Sequence, residues 1–205
     1  MTTKALTEKE REKLIKDSVK HYERFMDIAF PNWRTDPNMQ DTPHRVVKAY
    51  VNELCVSLYS DGPKITTFEN VDKYDGIVLQ SNIDVKSLCS HHFQNIHGVA
   101  HVAYIPSADG KIIGLSKLNR IVDYFARRPQ VQENLTMQIH DYVNELCEGN
   151  QGVAVLIKAK HMCCSHRGIN HDSDMQTVKL SGAFFANTDG CRDELYNLIN
   201  YATKK

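Results

Sequence analysis

The sequence predicts an α+β protein: an antiparallel sheet with a helix pair on one face and an N-terminal helical extension. Three observations carry this. Apolar residues recur at helical spacing through 7–29, 43–58, 116–128 and 130–146; short strand-like runs occupy 77–85, 98–105 and 153–161; and the helix pair falls between strands without alternating with them. A chain of 205 residues with 41% hydrophobic content can bury a full core. We expect a helical segment over 1–60 and the sheet-bearing domain over 61–205.

The first helix, 7–29, is charged, with Leu14, Tyr22, Phe25 and Met26 as its apolar stripe. Pro31 and Pro37 bracket a break, after which Asp41-Thr42-Pro43 reads as a helix start, with Thr42 as N-cap and Pro43 in the first turn. Val47, Tyr50, Val51, Leu54 and Leu58 continue that helix at the right spacing. Polar residues 60–76 lead into strands at 77–79, 83–85 and 98–105. Pro129 marks the joint between helices 116–128 and 130–146. In strand 153–161, Val153, Val155, Ile157 and Ala159 share one face, and parity puts His161 on it. Residues 178–185 read as a last strand and 189–201 as a closing helix.

Twenty-five basic residues balance twenty-five acidic ones, so no overall field recruits nucleic acid or an anionic membrane. The N-terminus lacks the apolar core of a signal peptide, and no stretch approaches the ~18 apolar residues of a membrane span. The expected location is cytoplasmic, where six cysteines serve as thiols or metal ligands more readily than as disulfides.

The chemistry concentrates in Cys89-Ser90-His91-His92 and His161-Met162-Cys163-Cys164. Cys89 and His92 are three apart, close enough to grip one tetrahedral ion from a single bend, and Cys163 supplies a third soft ligand. Three protein ligands leave a position open for water, the arrangement of hydrolytic zinc sites. A fourth ligand from Cys164, His91 or His161 would close the site and make it structural. Seven of the ten histidines lie in 91–101 or 161–171, which places proton carriers beside the ion.

A second constellation, Gly114-Leu115-Ser116-Lys117-Leu118-Asn119-Arg120, follows a strand and opens a helix. Cations in a first turn oppose the helix dipole unless an anion is bound there. Arg45 repeats the oddity after Thr42-Pro43. Glu133, in the first turn of its helix, is electrostatically favoured without any ligand. It is also a carboxylate able to accept two parallel N–H bonds, such as those of a guanine edge.

Taken together, Asp41-Thr-Pro-His-Arg45, Cys89-Ser-His91-His92, Val102-Ala-Tyr-Ile-Pro106, Ile113-Gly-Leu-Ser-Lys-Leu-Asn-Arg120, Arg128-Pro-Gln-Val-Gln132-Glu133 and His161-Met-Cys163 with Arg167-Gly168 resemble GTP cyclohydrolase I, in order from about residue 40 to 185. The resemblance implies the tunnelling fold, typically as a homodecamer with sites at subunit interfaces. It implies conversion of GTP and water to formate and 7,8-dihydroneopterin triphosphate, the first step of tetrahydrofolate and pterin biosynthesis. It makes Cys89, His92 and Cys163 ligands of Zn2+, and His161 and His91 proton carriers. Gln132 and Glu133 would hold the guanine, while Ser116, Lys117, Arg120, Arg167 and Arg45 would hold the triphosphate. One departure stands out: the family usually reads Cys-Glu-His-His, and here Ser90 replaces the glutamate.

Overall fold

A computed structural model describes residues 5–203, and the chain divides into two compact units at Gly62/Pro63. In the first unit, α1 (Glu8–Ala29) opens on a capping box: the Thr7 N–H donates to Glu10 Oε2 at 2.8 Å and the Glu10 N–H to Thr7 Oγ1 at 3.3 Å. Of the expected stripe only Met26 is fully buried, and Phe25 is exposed. In α2 (Thr42–Ala49) the cap position falls on Asp41, not Thr42, and no side chain caps it; Pro43 stands in the first turn as expected. The helix then loosens into a π-helical turn, Tyr50–Leu54, and a 3-10 turn, Val56–Leu58. Among the described residues of this unit, Met26, Trp33, Val47, Val51 and Cys55 are buried, with Pro43 beside them in α2.

The second unit contains β1 (Thr67–Glu69), β2 (Val78–Cys89), β3 (Asn95–Ile105), β4 (Lys111–Ile113), α3 (Leu115–Ala126), β5 (Pro129–Gln130), α4 (Gln132–Leu146), β6 (Gly152–His161), α5 (Met162–Ser165), β7 (Asp174–Leu180), α6 (Gly182–Ala186) and α7 (Cys191–Thr203). Five strands form one sheet in the order β5-β2-β3-β6-β7, antiparallel except for β5, which runs parallel to the end of β2. Strands β1 and β4 make a separate antiparallel pair.

The alternation of β3 and β6 decides which residues meet the helices. Ala100, Val102, Tyr104, Val153, Val155 and Ile157 face α3 and α4, which contribute Leu118, Ile121, Val122, Leu135, Ile139 and Val143 to the main core. The intervening Ala103, Ile105 and Ala154 point the other way and pack on Phe184, Leu195 and Ile199. The helix pair therefore covers one face as expected, while α6 and α7 cover part of the opposite face. Strands β3 and β6 lie so close that a Cβ on Gly98 would sit 2.1 Å from the Lys158 carbonyl oxygen, so only glycine fits there.

Two strands differ from their expected extents. The runs at 77–79 and 83–85 belong to one long strand, β2, interrupted by a register shift between Gln80 and Ile83 where Asn82 takes a left-handed φ of 54°. The last strand begins at Asp174 and ends at Leu180; residues 182–185, expected to finish it, instead belong to α6, which opens at Gly182 with a φ of 53°. Among the described residues no helix is long and apolar enough to cross a membrane.

Candidate metal centre and active site

Strand β2 delivers Cys89 at its last residue, and the chain turns immediately. The Phe93 N–H donates to the Cys89 carbonyl at 2.9 Å, the Cys89 N–H to the Gln94 carbonyl at 2.8 Å, and Phe93 takes a left-handed φ of 53°. Strand β5 clamps this turn from the side. Cys89 pairs with Gln130, and the Ser90 N–H donates to the Gln130 carbonyl at 3.0 Å. The Cys89 side chain is buried by this arrangement, while His91 and His92 at the tip face solvent, their rings edge-on at 6.4 Å between centroids.

Strand β6 ends at His161, opposite Ile96 of β3, and α5 then carries Cys163 inward. Cys89, His161 and Cys163 place their ligand atoms within 4.8 Å of one another. His92, expected as the third ligand, is not in this group; the tight turn that buries Cys89 leaves His92 outside. His161, expected as a proton carrier or as a fourth ligand closing the site, stands in the group instead. Cys164 is exposed, with its sulfur 4.0 Å from that of Cys163.

Two thiols and an imidazole are the donor set that zinc takes, so the residues present fit the implied ion. Burial, together with the neighbouring Cys89 thiol, pushes the Cys163 thiol up to about 12. A divalent cation supplies the charge needed to hold such a buried pair as thiolates. Burial also holds His161 below the usual imidazole range, with the Glu133 carboxylate opposing it.

The start of α4 reaches the same place. Gln132 is completely buried, and its amide oxygen lies 2.8 Å from His161 Nε2. Glu133, the next residue, is exposed. The motif 128–133 thus does two jobs: its β5 segment pins Cys89, and its helix start brings Gln132 to His161.

Gly114 caps α3, so Leu115, Ser116 and Lys117 occupy its first turn, with no acidic residue among them. Ser116 and Arg120 are exposed, and Lys117 Nζ donates to the Lys64 carbonyl at 3.3 Å. Arg167 stands exposed in the loop after α5. Arg45 belongs to the first unit, where it pairs with Asp41 at 3.1 Å on an exposed helix end.

The comparisons with known proteins converge. A family model described as GTP cyclohydrolase I matches residues 20–200. The chain belongs to the GTP cyclohydrolase I family. It is 47% identical over 161 residues to GTP cyclohydrolase 1 of Aeromonas salmonicida, covering 78% of this chain and 72% of that one. The enzyme of that name from Photobacterium profundum is 40% identical over 200 residues, covering 97% and 89%. That from Salmonella choleraesuis is 43% identical over 168 residues, covering 82% and 74%. The solved archaeosine synthase QueF-Like, in its apo form, aligns at TM-score 0.40 and 18% identity over 52% of this chain and 94% of its own, a likeness too slight to bear on function. The antiparallel sheet with two helices across one face agrees with the tunnelling fold expected of the GTP cyclohydrolase I family.

Residue patterns alone missed the seam behind His161. Thr136 and Thr177, with no reactive chemistry of their own, are bonded to Gln132 or to each other. The signal was present as spacing: Gln132, Thr136 and His140 recur every four residues on α4, a polar line where periodicity puts the buried face.

Proposed function

We propose that this chain hydrolyses GTP to formate and 7,8-dihydroneopterin triphosphate with Zn2+ at the Cys89/Cys163 pair. The observation that carries the reading is the gathering of two thiols and an imidazole within 4.8 Å at the meeting point of β2, β6 and the start of α4. Zinc held there acts as a Lewis acid and makes water a nucleophile near neutral pH. The protein's own residues supply the rest. His161 takes up the proton released as water adds at C8 and passes it to N7 of the guanine, and His91 moves protons at the ribose. Glu133 accepts from the guanine edge, and Gln132 stands beside it.

Ser116, Lys117, Arg120 and Arg167 hold the triphosphate, with Arg45 as a further cation. A bound triphosphate accounts for cations in a first turn that the helix dipole disfavours. His92 is the third zinc ligand in this reading. It is supported by the three-residue spacing from Cys89 and by the exposed ring, which carries no hydrogen bond among the described residues. A second reading makes His161 the ligand; the 4.8 Å grouping favours it, as does the habit of metal-bound imidazoles of donating their other N–H to an oxygen acceptor. Zinc content of His92→Ala and His161→Ala separates the two, since only the ligand's loss empties the site.

The protein acts as a homo-oligomer, a decamer by family pattern, in the cytoplasm, at the entry to tetrahydrofolate and pterin synthesis. Formate release from GTP by zinc-loaded protein, run beside ATP and ITP, tests the activity. Release from GTP alone is expected, and zinc and GTP binding without formate would reduce the chain to a binding module.

A further inference from the structure

Gln132 is fully buried against His161, and its bonds can be assigned from donor and acceptor chemistry. Its amide nitrogen is within hydrogen-bond distance of the Ile157 carbonyl at 3.1 Å, the Met175 carbonyl at 3.2 Å and Thr177 Oγ1 at 3.1 Å. Carbonyl oxygens only accept, so the NH2 end must face them and the amide oxygen must face His161. An amide oxygen also only accepts. The 2.8 Å contact is therefore a bond donated by His161 Nε2, which carries the proton and leaves the lone pair of the neutral ring on Nδ1.

The two threonines lock this orientation. Thr136 Oγ1 donates to the Gln132 backbone carbonyl at 2.9 Å, which spends its single proton. Thr177 must then donate to Thr136 Oγ1 across 2.6 Å, and so it accepts from the Gln132 amide. The ring closes: Gln132 N–H to Thr177, Thr177 O–H to Thr136, Thr136 O–H back to Gln132. Turning this amide toward a substrate would strip its two N–H protons of the acceptors around them and leave His161 without its partner, and the Gln132 side chain has no solvent to replace them.

We infer that Gln132 is a positioning residue and not a substrate contact: locked by Thr136 and Thr177, it fixes the His161 ring so that Nδ1 is the nitrogen that works. This rests on the proposed role of His161, as proton carrier or as ligand, and both roles need one defined nitrogen.

The test separates the inference from that role. Protein labelled with 15N-histidine, its His161 signals assigned by their loss in His161→Ala, should show His161 as the Nε2–H tautomer. Gln132→Met should convert it to a mixture of tautomers. In the same variant, kcat for formate release should fall at least ~10-fold, part of the ~10²–10⁴-fold that general acid–base catalysis contributes, while KM for GTP stays within ~2-fold. Thr177→Val, nearly isosteric, should lower kcat in the same direction and Thr177→Ser should restore it; these two variants supply the kinetic test if Gln132→Met does not fold. An Nδ1–H tautomer in the unaltered protein would overturn the inference, as would a raised KM with kcat preserved. If the unaltered protein releases no formate, the proposed function falls, and the tautomer measurement alone still judges the positioning.

Discussion

Cys163 and Cys164 are adjacent in sequence, with sulfurs 4.0 Å apart, yet only Cys163 is buried beside Cys89. Cys163→Ser should therefore lose stoichiometric zinc and turnover, whereas Cys164→Ser keeps both; metal analysis of the two purified variants checks it, and equal zinc loss would defeat the assignment. Glu133 is a different kind of residue, exposed and free to meet a ligand. Glu133→Gln replaces an acceptor pair with an amide that presents donors to the guanine edge, and calorimetry should show GTP binding weakened by at least the ~1–3 kcal/mol of an unsatisfied polar contact. An unchanged dissociation constant would remove Glu133 from the guanine site. Ser90, where the family usually has glutamate, is held through its backbone by Gln130, so the turn that places Cys89 does not depend on its side chain. We expect Ser90→Glu to leave zinc content unchanged and to raise turnover modestly or not at all.

The elements explain why some of this could be read in the sequence and some could not. Helices α3 and α4 announce themselves because a long amphipathic period is hard to mistake, and strand β6 does so through β-branched Val153, Val155 and Ile157 at alternate positions. Strand β2 reads as two pieces because Gln80-Ser81-Asn82 interrupts it, and only the pairing with β3 shows that the strand resumes after a bulge. Strand β7 sits at the edge of the sheet, exposed on one face and only half-buried on the other, so its polar start at Asp174 carries no apolar pattern; the apolar run at 182–186 is too short to tell a helical turn from a strand. The candidate site follows the same division. Residue chemistry pointed to Cys89 and Cys163, but which histidine joins them depends on the turn after β2 and the register of β6, which are tertiary facts. That register has a weak point at Gly98. Gly98→Ala puts a methyl 2.1 Å from the Lys158 carbonyl and 2.5 Å from the Ala159 Cα, which forces β3 and β6 apart close to the Ile96–His161 pair. Urea denaturation should show a loss of at least the ~1–3 kcal/mol typical of overpacking.

Across the whole molecule, pH tests the burial of histidine. Burial holds His101 below the usual imidazole range, and its Nδ1 already accepts from the Asn82 N–H at 3.4 Å, a bond that protonation would remove. Burial lowers His161 as well. A folded-state value depressed below the unfolded one means that the unfolded chain binds more protons as pH falls through about 6.5, so stability should drop between about pH 7 and 5.5. Urea midpoints across that range should show the slope, and His101→Gln should flatten it. The sheet ends on β7 at one side, and β5 covers only the last residues of β2 at the other, which leaves long edges for further strands among the described residues. Sedimentation velocity should accordingly find an assembly of many copies, and a monomer at all concentrations would contradict the oligomer proposed. In the proposed function these roles serve a zinc-dependent hydrolysis, by a chain that carries Ser90 beside the Cys89 thiol. The most direct measurement is formate released from GTP by the unaltered, zinc-loaded protein. Stoichiometric formate with dihydroneopterin triphosphate, lost when zinc is removed and regained on its return, is the expected result; full zinc content and tight GTP binding with no formate would contradict it.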